Sequence, residues 1–322
     1  MYKLFVTLHI VLTFTMKIEG SEFQQFSTKC MGTEFKILID HDDKDLCKNA
    51  AKAAFEEAAR LNKIFSDYIS ESEISLLSES SNTGTKLKLS DELLEVLLYS
   101  KSLAIKSDNA FDPTMGQLSR LWRVSRFRKS LPPEKSLLRA MKLKGVDALQ
   151  IFEKEKEVAL LKPGIVLDLG GIAKGYTADK MISSLNKFGI NRSLVDAGGD
   201  LTLGNKPRGK SGWKIEIGGK SHPELPILSL ENCSIATSGD SAQFIEINGI
   251  RYSHILNPET GYGLENLSQV TVIAENGMKA DSFATAFSVL GPKRSKELFE
   301  KENFKAFFIT QMSDKRTLEI ID

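Results

Sequence analysis

The chain has 322 residues, of which 41% are hydrophobic and 26% charged. These are the values of an ordinary globular protein with room for one large domain or two halves sharing a cleft. A formal net charge of +1 supplies no long-range field for nucleic acid or an anionic membrane, so no nucleic-acid partner is expected. Three cysteines, Cys30, Cys47 and Cys233, lack CxxC spacing and argue against a disulfide framework or a zinc site.

At the N-terminus, Lys3 precedes a mostly apolar stretch over residues 4–16, followed by a polar segment over 17–23. The stretch is shorter than the roughly 20 residues that span a bilayer and fits the apolar core of a secretory leader. Residues 1–20 are therefore read as a signal peptide cut near Gly20 or as an uncleaved signal anchor, and the chain is expected to be exported. Residues 23–29 and 34–39 read as short strands around Met31-Gly32-Thr33. A helix follows over 43–65, its apolar stripe carried by Leu46, Ala50, Ala54, Ala58, Leu61 and Phe65 at spacings of three or four. Residues 75–88 are polar and Ser-rich, a loop with room for one helical turn. Ser90 then caps a helix with Asp91 and Glu92 in its first turn.

The basic cluster Arg120, Arg123, Arg126, Arg128 and Lys129 reads as a solvated loop or helix edge. Pro132-Pro133 opens a further helix that stops at Gly145. Runs at 149–152, 158–161, 165–169, 213–217 and 227–230 are strand-like. Asn248-Gly249, between 244–247 and 251–255, is a strong hairpin signal. Helices recur at 172–188 and 278–290. Adjacent strands broken by hairpin signals, with helices between them, predict an α+β fold.

Three segments could carry chemistry. In the first, residues 165–176, a buried-strand pattern ends in Asp168, then Gly170-Gly171, then a helix with Lys174 in its first turn. Backbone N–H groups and the dipole at such a start favour an anion, and paired glycines let it approach closely. The spacing is neither GxxxxGK[ST] nor GxGxxG. A tight turn with a solvated lysine fits equally well. In the second, Asp281 and Thr285 lie at i and i+4 on one helix face. Carboxylate and hydroxyl are hard oxygen ligands that suit magnesium, although an Asp complementing a helix N-terminus fits as well. In the third, His254 ends a strand beside the turn Asn257-Pro258-Glu259-Thr260-Gly261, where a general base could be presented, although taken alone a structural histidine is the commoner case. His9 lies in the leader, and His41 and His222 sit in polar loops. Residues 111–116, 196–200 and 236–240 join Gly to Asp or Thr and fit simple turn chemistry.

Together and in this order, these segments resemble one family, the FAD:protein FMN transferases, long labelled thiamine-biosynthesis lipoprotein ApbE. The resemblance runs through Met31-Gly32-Thr33, Leu61-Asn62 with Phe65-Ser66-Asp67-Tyr68, and Phe111-Asp112-Pro113-Thr114 with Leu121-Trp122. It continues through residues 168–175, 195–200, 235–240, 252–261 and 280–285, covering the chain from about residue 23 onward. It implies a domain over 21–322 made of two intertwined antiparallel sheet-and-helix halves of the tunnelling-fold type, with FAD in the cleft between them. It implies transfer of FMN from FAD to a Thr or Ser hydroxyl of an acceptor protein, such as a subunit of a membrane redox complex, with release of AMP. By position Met31, Tyr68, Ala110, Phe111, Asp112, Asp168 and Ile255 match the family's flavin or adenine contacts, and Tyr68 offers an aromatic face for stacking. The resemblance assigns Lys174 with Gly170-Gly171 to the pyrophosphate, and Asp281, Thr285 and the Gly171 carbonyl to Mg²⁺, which neutralises phosphoryl charge. The acceptor proton falls to His254, because an unactivated hydroxyl is a poor nucleophile.

Two departures stand out. Cys30 follows Ser27-Thr28-Lys29, which lacks the apolar and small residues of a lipobox, so the expected place is the periplasm or outer face of the inner membrane without a firm case for a lipid anchor. Ser78 stands where relatives commonly carry an asparagine. Rival readings are a Mg-dependent FAD pyrophosphatase giving FMN and AMP, and an FAD-binding protein without chemistry. No nicotinamide fingerprint is present, and no acceptor-like Gly-Ala-Thr run occurs in the chain.

Overall fold

The computed structural model describes residues 17–18, 21–217, 225–239, 244–265, 267–312 and 315–322. The leader's apolar stretch, His222 and Asp240 lie outside these residues. The core is an eight-stranded sheet built from β1 (Gln24–Cys30), β2 (Thr33–Ile39), β3 (Ser193–Ala197), β4 (Leu201–Leu203), β5 (Ser234–Gly239), β6 (Leu267–Ala274), β7 (Phe304–Met312) and β8 (Lys315–Ile321). Sheet order equals chain order, and every neighbouring pair is antiparallel. The sheet is a meander into whose connections helices have been inserted.

Along the chain the sheet is built in two stretches. The first is β1–β2, helix α1 (Lys44–Phe65), a long insertion, helix α6 (Ala173–Lys187) and β3–β4. The second is β5–β6, helix α7 (Gly277–Phe299) and β7–β8. They join edge to edge where Leu201 and Thr202 of β4 pair with Ile235 and Ser234 of β5.

Period-two alternation sends successive strand residues to opposite faces. On one face, Phe35, Ile37 and Ile39 meet Ala50, Ala54 and Ala58 of α1 and Met181 and Leu185 of α6. The alanine stripe on α1 allows close approach to the sheet, and Asp43 caps the helix by accepting from Leu46 N–H at 2.9 Å. Val270, Val272 and Phe308 face Phe283 and Phe287 of α7. The opposite face, with Leu194, Leu203, Ile235 and Phe307, is covered by a hairpin of Trp213–Glu216 with Ile227–Leu230.

Between α1 and α6 the insertion holds α2 (Glu73–Ser80), α3 (Asp91–Lys106), α4 (Gly116–Arg128), α5 (Glu134–Lys142) and a small sheet of Leu87–Lys88, Leu149–Phe152 and Glu157–Leu160. Ser90 caps α3 as expected, accepting from Leu93 N–H at 3.2 Å. The Asn248-Gly249 turn joins Phe244–Ile247 to Ile250–Ser253, with φ of 53° and 77° at its two residues, as a two-residue hairpin requires.

Several expectations need correction. The Ser-rich stretch opens with two turns of helix, α2, ending at Ser80, because Ser72 caps it at Ser75 N–H and Ile74 and Leu77 are fully buried; the rest is a turn and the short strand Leu87–Lys88. The basic cluster takes the helix-edge alternative of its reading, Arg120, Arg123, Arg126 and Arg128 lying on α4 with Lys129 as its C-cap. Helix α5 ends at Lys142, short of Gly145. Helix α7 breaks where the expected end lies, at Gly291 (φ 71°), and Pro292 starts a second stretch reaching Phe299. Residues 165–169 are buried apart from the half-buried Asp168, but form no strand. Their backbone is taken elsewhere: Leu167 N–H donates to Ser78 Oγ (3.1 Å), Asp168 N–H to the Pro113 carbonyl (2.8 Å), and the Ile165 carbonyl accepts from Ser81 Oγ (3.3 Å). Among the described residues no helix is long and apolar enough to cross a membrane.

Candidate active site

A cavity of about 690 Å³ opens between the helical layer, the insertion and the segment that follows the hairpin at His254, a size suited to a small-molecule ligand. Met31, Tyr68, Ala110, Phe111, Asp112, Asp168, Gly171, Lys174, His254, Ile255, Asp281 and Thr285 all line it. Every candidate residue from the sequence therefore meets in one place, although they come from six separate stretches of chain.

The segment from Ile165 into α6 is the floor. Ser78, the departure from the family pattern, holds it: its hydroxyl donates to the Ile74 carbonyl (2.8 Å) and accepts Leu167 N–H. Asp168 Oδ1 accepts Gly170 N–H at 2.8 Å and fixes the turn. The glycines that follow are there for proximity. A Cβ on Gly171 would stand 2.7 Å from Thr285 Oγ1, and one on Gly175 would stand 2.0 Å from the Gly277 carbonyl oxygen. Helices α6 and α7 thus start in backbone contact. Asp179 of α6 locks that crossing by accepting Gly277 N–H (2.7 Å) and Met278 N–H (3.0 Å), while Asn276 accepts Lys279 N–H (2.9 Å).

This crossing positions the oxygen donors. Asp281 is buried, and its Oδ2 accepts Gly175 N–H at 3.1 Å. Burial, together with the neighbouring Asp200 carboxylate, pushes the Asp281 carboxyl up to about 7. Lys174 pairs with Asp200 and is held protonated by Asp200 and Asp281. Its ammonium lies in the cavity wall beside the acidic pair. Thr285 Oγ1 lies 3.4 Å from Ser238 Oγ. Among the described residues no group of three or more His, Cys, Asp or Glu gathers as a metal cluster. One buried carboxylate, a hydroxyl and a nearby backbone carbonyl nevertheless suit Mg²⁺, which keeps waters and substrate oxygens in its shell. A carboxylate raised by burial and by a like charge is relieved by a cation.

The opposite wall holds a ring-sized shelf. Tyr68 is 74% exposed, and the Arg123 guanidinium lies 4.0 Å over its ring. Arg123 is itself held in a fork by Asp67, at 2.6 and 3.1 Å, with Asp168 at 3.7 Å. Asp112 Oδ1 accepts from Thr114 N–H (2.8 Å) and Thr114 Oγ1 (2.5 Å), while its buried Oδ2 has no partner in the protein. Asn62 Oδ1, at the same cavity, is likewise unsatisfied. Orphaned buried acceptors are rare unless a ligand completes them. His254 is exposed on the cavity rim. The turn after it is anchored to α4, where Trp122 Nε1 donates to the Gly261 carbonyl at 2.8 Å and its ring packs on Tyr252 and Tyr262.

Arg123, Arg126, Asn62 and Asp200 also line the cavity, and the sequence assigned them no role. The spacing of Ser119, Trp122, Arg123 and Arg126 was the available signal, since i, i+3, i+4 and i+7 share one helix face.

An oxygen set that favours a cation, two unsatisfied buried acceptors and an aromatic side chain in one cavity define an enzyme for a ligand that bears both phosphate and flat rings. The family model described as "ApbE family" matches residues 31–308. A protein of Chlamydia muridarum named FAD:protein FMN transferase is 34% identical over 82% of this chain and 83% of its own length. The protein of that name from Escherichia coli K12 is 28% identical over 92% of this chain and 87% of its own. The crystal structure of Pseudomonas stutzeri flavinyl transferase ApbE, apo form, superposes with a TM-score of 0.79 at 26% identity, covering 95% of this chain and 96% of that one. The chain belongs to the ApbE family.

Proposed function

We infer that this chain is an FAD:protein FMN transferase, moving FMN from FAD to a Thr or Ser hydroxyl of an acceptor protein and releasing AMP. The observation that carries this reading is the convergence of Asp112, Asp168, Lys174, His254, Asp281 and Thr285 on one cavity in a chain whose relatives bear that name. In the reaction the acceptor oxygen bonds to the FMN phosphorus as the bridging bond to AMP breaks, and the hydroxyl proton leaves.

His254, on the rim where an acceptor enters, takes that proton. Lys174 and the Gly170-Gly171 backbone face the pyrophosphate. Tyr68, Asp112 and Asp168 bind and orient the rings, the orphaned Asp112 Oδ2 accepting an N–H of the ligand. Asp281, Thr285 and the Gly171 carbonyl would hold Mg²⁺, which when bound neutralises charge on the phosphoryl oxygens. The apolar stretch at residues 4–16 supports export. Cys30 closes β1 with its thiol buried and donating to the Ala58 carbonyl at 3.5 Å, which argues against lipid attachment there.

Incubation with FAD, MgCl₂ and a candidate acceptor domain, read by mass spectrometry, tests the reading. A gain equal to FMN on a single Thr or Ser is the expected result. Release of AMP at the same rate without any acceptor, and no gain on any acceptor tried, would transfer the assignment to FAD hydrolysis. A His254→Ala protein that binds FAD is expected to lose transfer, and full transfer by it would remove the histidine from the mechanism.

A further inference from the structure

We propose that the outer face of helix α4 is the docking surface for the acceptor polypeptide, and that the acceptor segment it receives carries acidic residues beside an apolar side chain. The proposal rests on the transferase reading and specifies its protein substrate.

Charge is the first observation. Residues 113–133 hold five cations and no Asp or Glu, in a chain of net charge +1. Two of the five turn inward: Arg123 is held by Asp67 and Arg126 lines the cavity. Arg120, Arg128 and Lys129 are exposed. Apolar exposure is the second. Phe127 is 90% exposed, more than any other large hydrophobic side chain among the described residues, with Val124 at 48% and Leu131 following in the next connection. A lone exposed apolar residue means little, but a clustered set beside a site marks an interface.

Placement is the third. Arg120, Val124, Phe127 and Arg128 recur at helical spacing and form one exposed row. Ser119, Arg123 and Arg126, each one residue or about 100° back around the helix from a member of that row, line the cavity, as does Trp122. A chain lying along the outer row is therefore one helix face away from His254 and the floor glycines. An acidic partner would be steered to the cationic row, with an apolar residue covering Phe127. A bilayer could also take a basic and aromatic face. Pressed against this one, it would sit across the rim through which the acceptor hydroxyl must enter.

The test uses the full chain with a library of peptides, each carrying one Thr between randomised flanks, incubated with FAD and Mg²⁺ and sorted by mass. Peptides with Asp or Glu flanks and an apolar residue are expected to gain FMN about tenfold faster than basic ones at low salt, with the gap closing towards about 0.5 M NaCl. In an Arg128→Glu/Lys129→Glu protein the charge preference should vanish or invert. In Phe127→Ser the KM for the peptide should rise with kcat unchanged, and FAD binding should be unchanged in both. Flavinylation indifferent to flank charge and to these variants overturns the docking surface and leaves the transferase intact. A library in which no peptide gains FMN overturns the transferase reading, and the proposal with it. Sedimentation with phosphatidylglycerol vesicles that Phe127→Ser abolishes, with peptide kinetics unaltered, assigns the face to a membrane instead.

Discussion

Replacing Gly175 by Ala tests the claim that the site depends on backbone contact between α6 and α7. The new Cβ would meet the Gly277 carbonyl oxygen at 2.0 Å and Asp281 Cβ at 2.8 Å, whereas ordinary contact begins at 3.4 Å. The two helix starts must therefore separate by about 1.4 Å, the difference between 3.4 and 2.0 Å. No flexible side chain can absorb the shift, because the obstacle is main chain. The start of α7 is also tied down, by Asp179 at Gly277 and Met278 and by Asn276 at Lys279. Overpacking costs about 1–3 kcal/mol, and these constraints place Gly175→Ala near the upper end. At about 2–3 °C per kcal/mol for a chain of this size, Tm should fall by roughly 6–9 °C. Asp281 and Thr285 ride on the displaced turns, so Mg²⁺ affinity measured by calorimetry should fall with it. A Tm within about 1 °C of the parent, with unchanged Mg²⁺ affinity, would refute the reasoning.

Gly171→Ala should behave differently, because its Cβ meets the Thr285 side chain, Oγ1 at 2.7 Å, Cγ2 at 3.1 Å and Cβ at 3.2 Å, rather than main chain. Stability should drop by only about 1 kcal/mol, while Mg²⁺ affinity falls about tenfold as the hydroxyl turns away; equal loss of both would show that the contact is merely structural. The Asp281 carboxyl, pushed up to about 7 by burial and Asp200, must release its proton to bind a metal. Mg²⁺ affinity should therefore fall about tenfold per pH unit below about 7 and level off above it, and a flat calorimetric profile from pH 5.5 to 8 would contradict the assignment. Arg123→Met strips buried Asp67 of its hydrogen-bonded cation and leaves only the more distant charge of Arg120, and burial already holds that carboxyl above its usual range. The folded variant then keeps a proton that the unfolded chain, near about 3.9, has lost, so its stability falls as pH rises through the raised value. Urea denaturation should show a penalty of about 2 kcal/mol at pH 8 that shrinks towards pH 4, after allowance for the partial exposure of Arg123; a penalty independent of pH would remove Asp67 as its source.

Local signals carried much of the fold. The stripe of α1, the Ser90 cap and the Asn248-Gly249 turn each depend on residues within a few positions of one another, and each stands where its chemistry places it. The central sheet was far less visible. β4 is three residues long, too short for a period. β7 carries Phe307 and Phe308 side by side, both buried on opposite faces, so the alternation that marks a half-exposed strand is absent. Residues 165–169 misled in the other sense. They have the apolar run of an inner strand, but the hydroxyls of Ser78 and Ser81 and the Pro113 carbonyl take the bonds that a ladder would have used.

The site divides along the same line. His254, Asp281 and Lys174 were legible as residue types at plausible turns and helix starts, yet each had a bland reading at least as good, because a titratable side chain acquires a role only from what lies across the cavity. Asp281 shows this most clearly. On its helix it is one acid near an N-terminus. Beside Asp200, under Gly175 N–H and against Lys174, it becomes a carboxylate that burial makes expensive to ionise, and that a cation would stabilise. Arg123 was hidden for the converse reason. Five cations close together look like one solvated edge, and only the Asp67 fork and the Tyr68 ring set Arg123, with Arg126 beside it at the cavity, apart from those left facing outward.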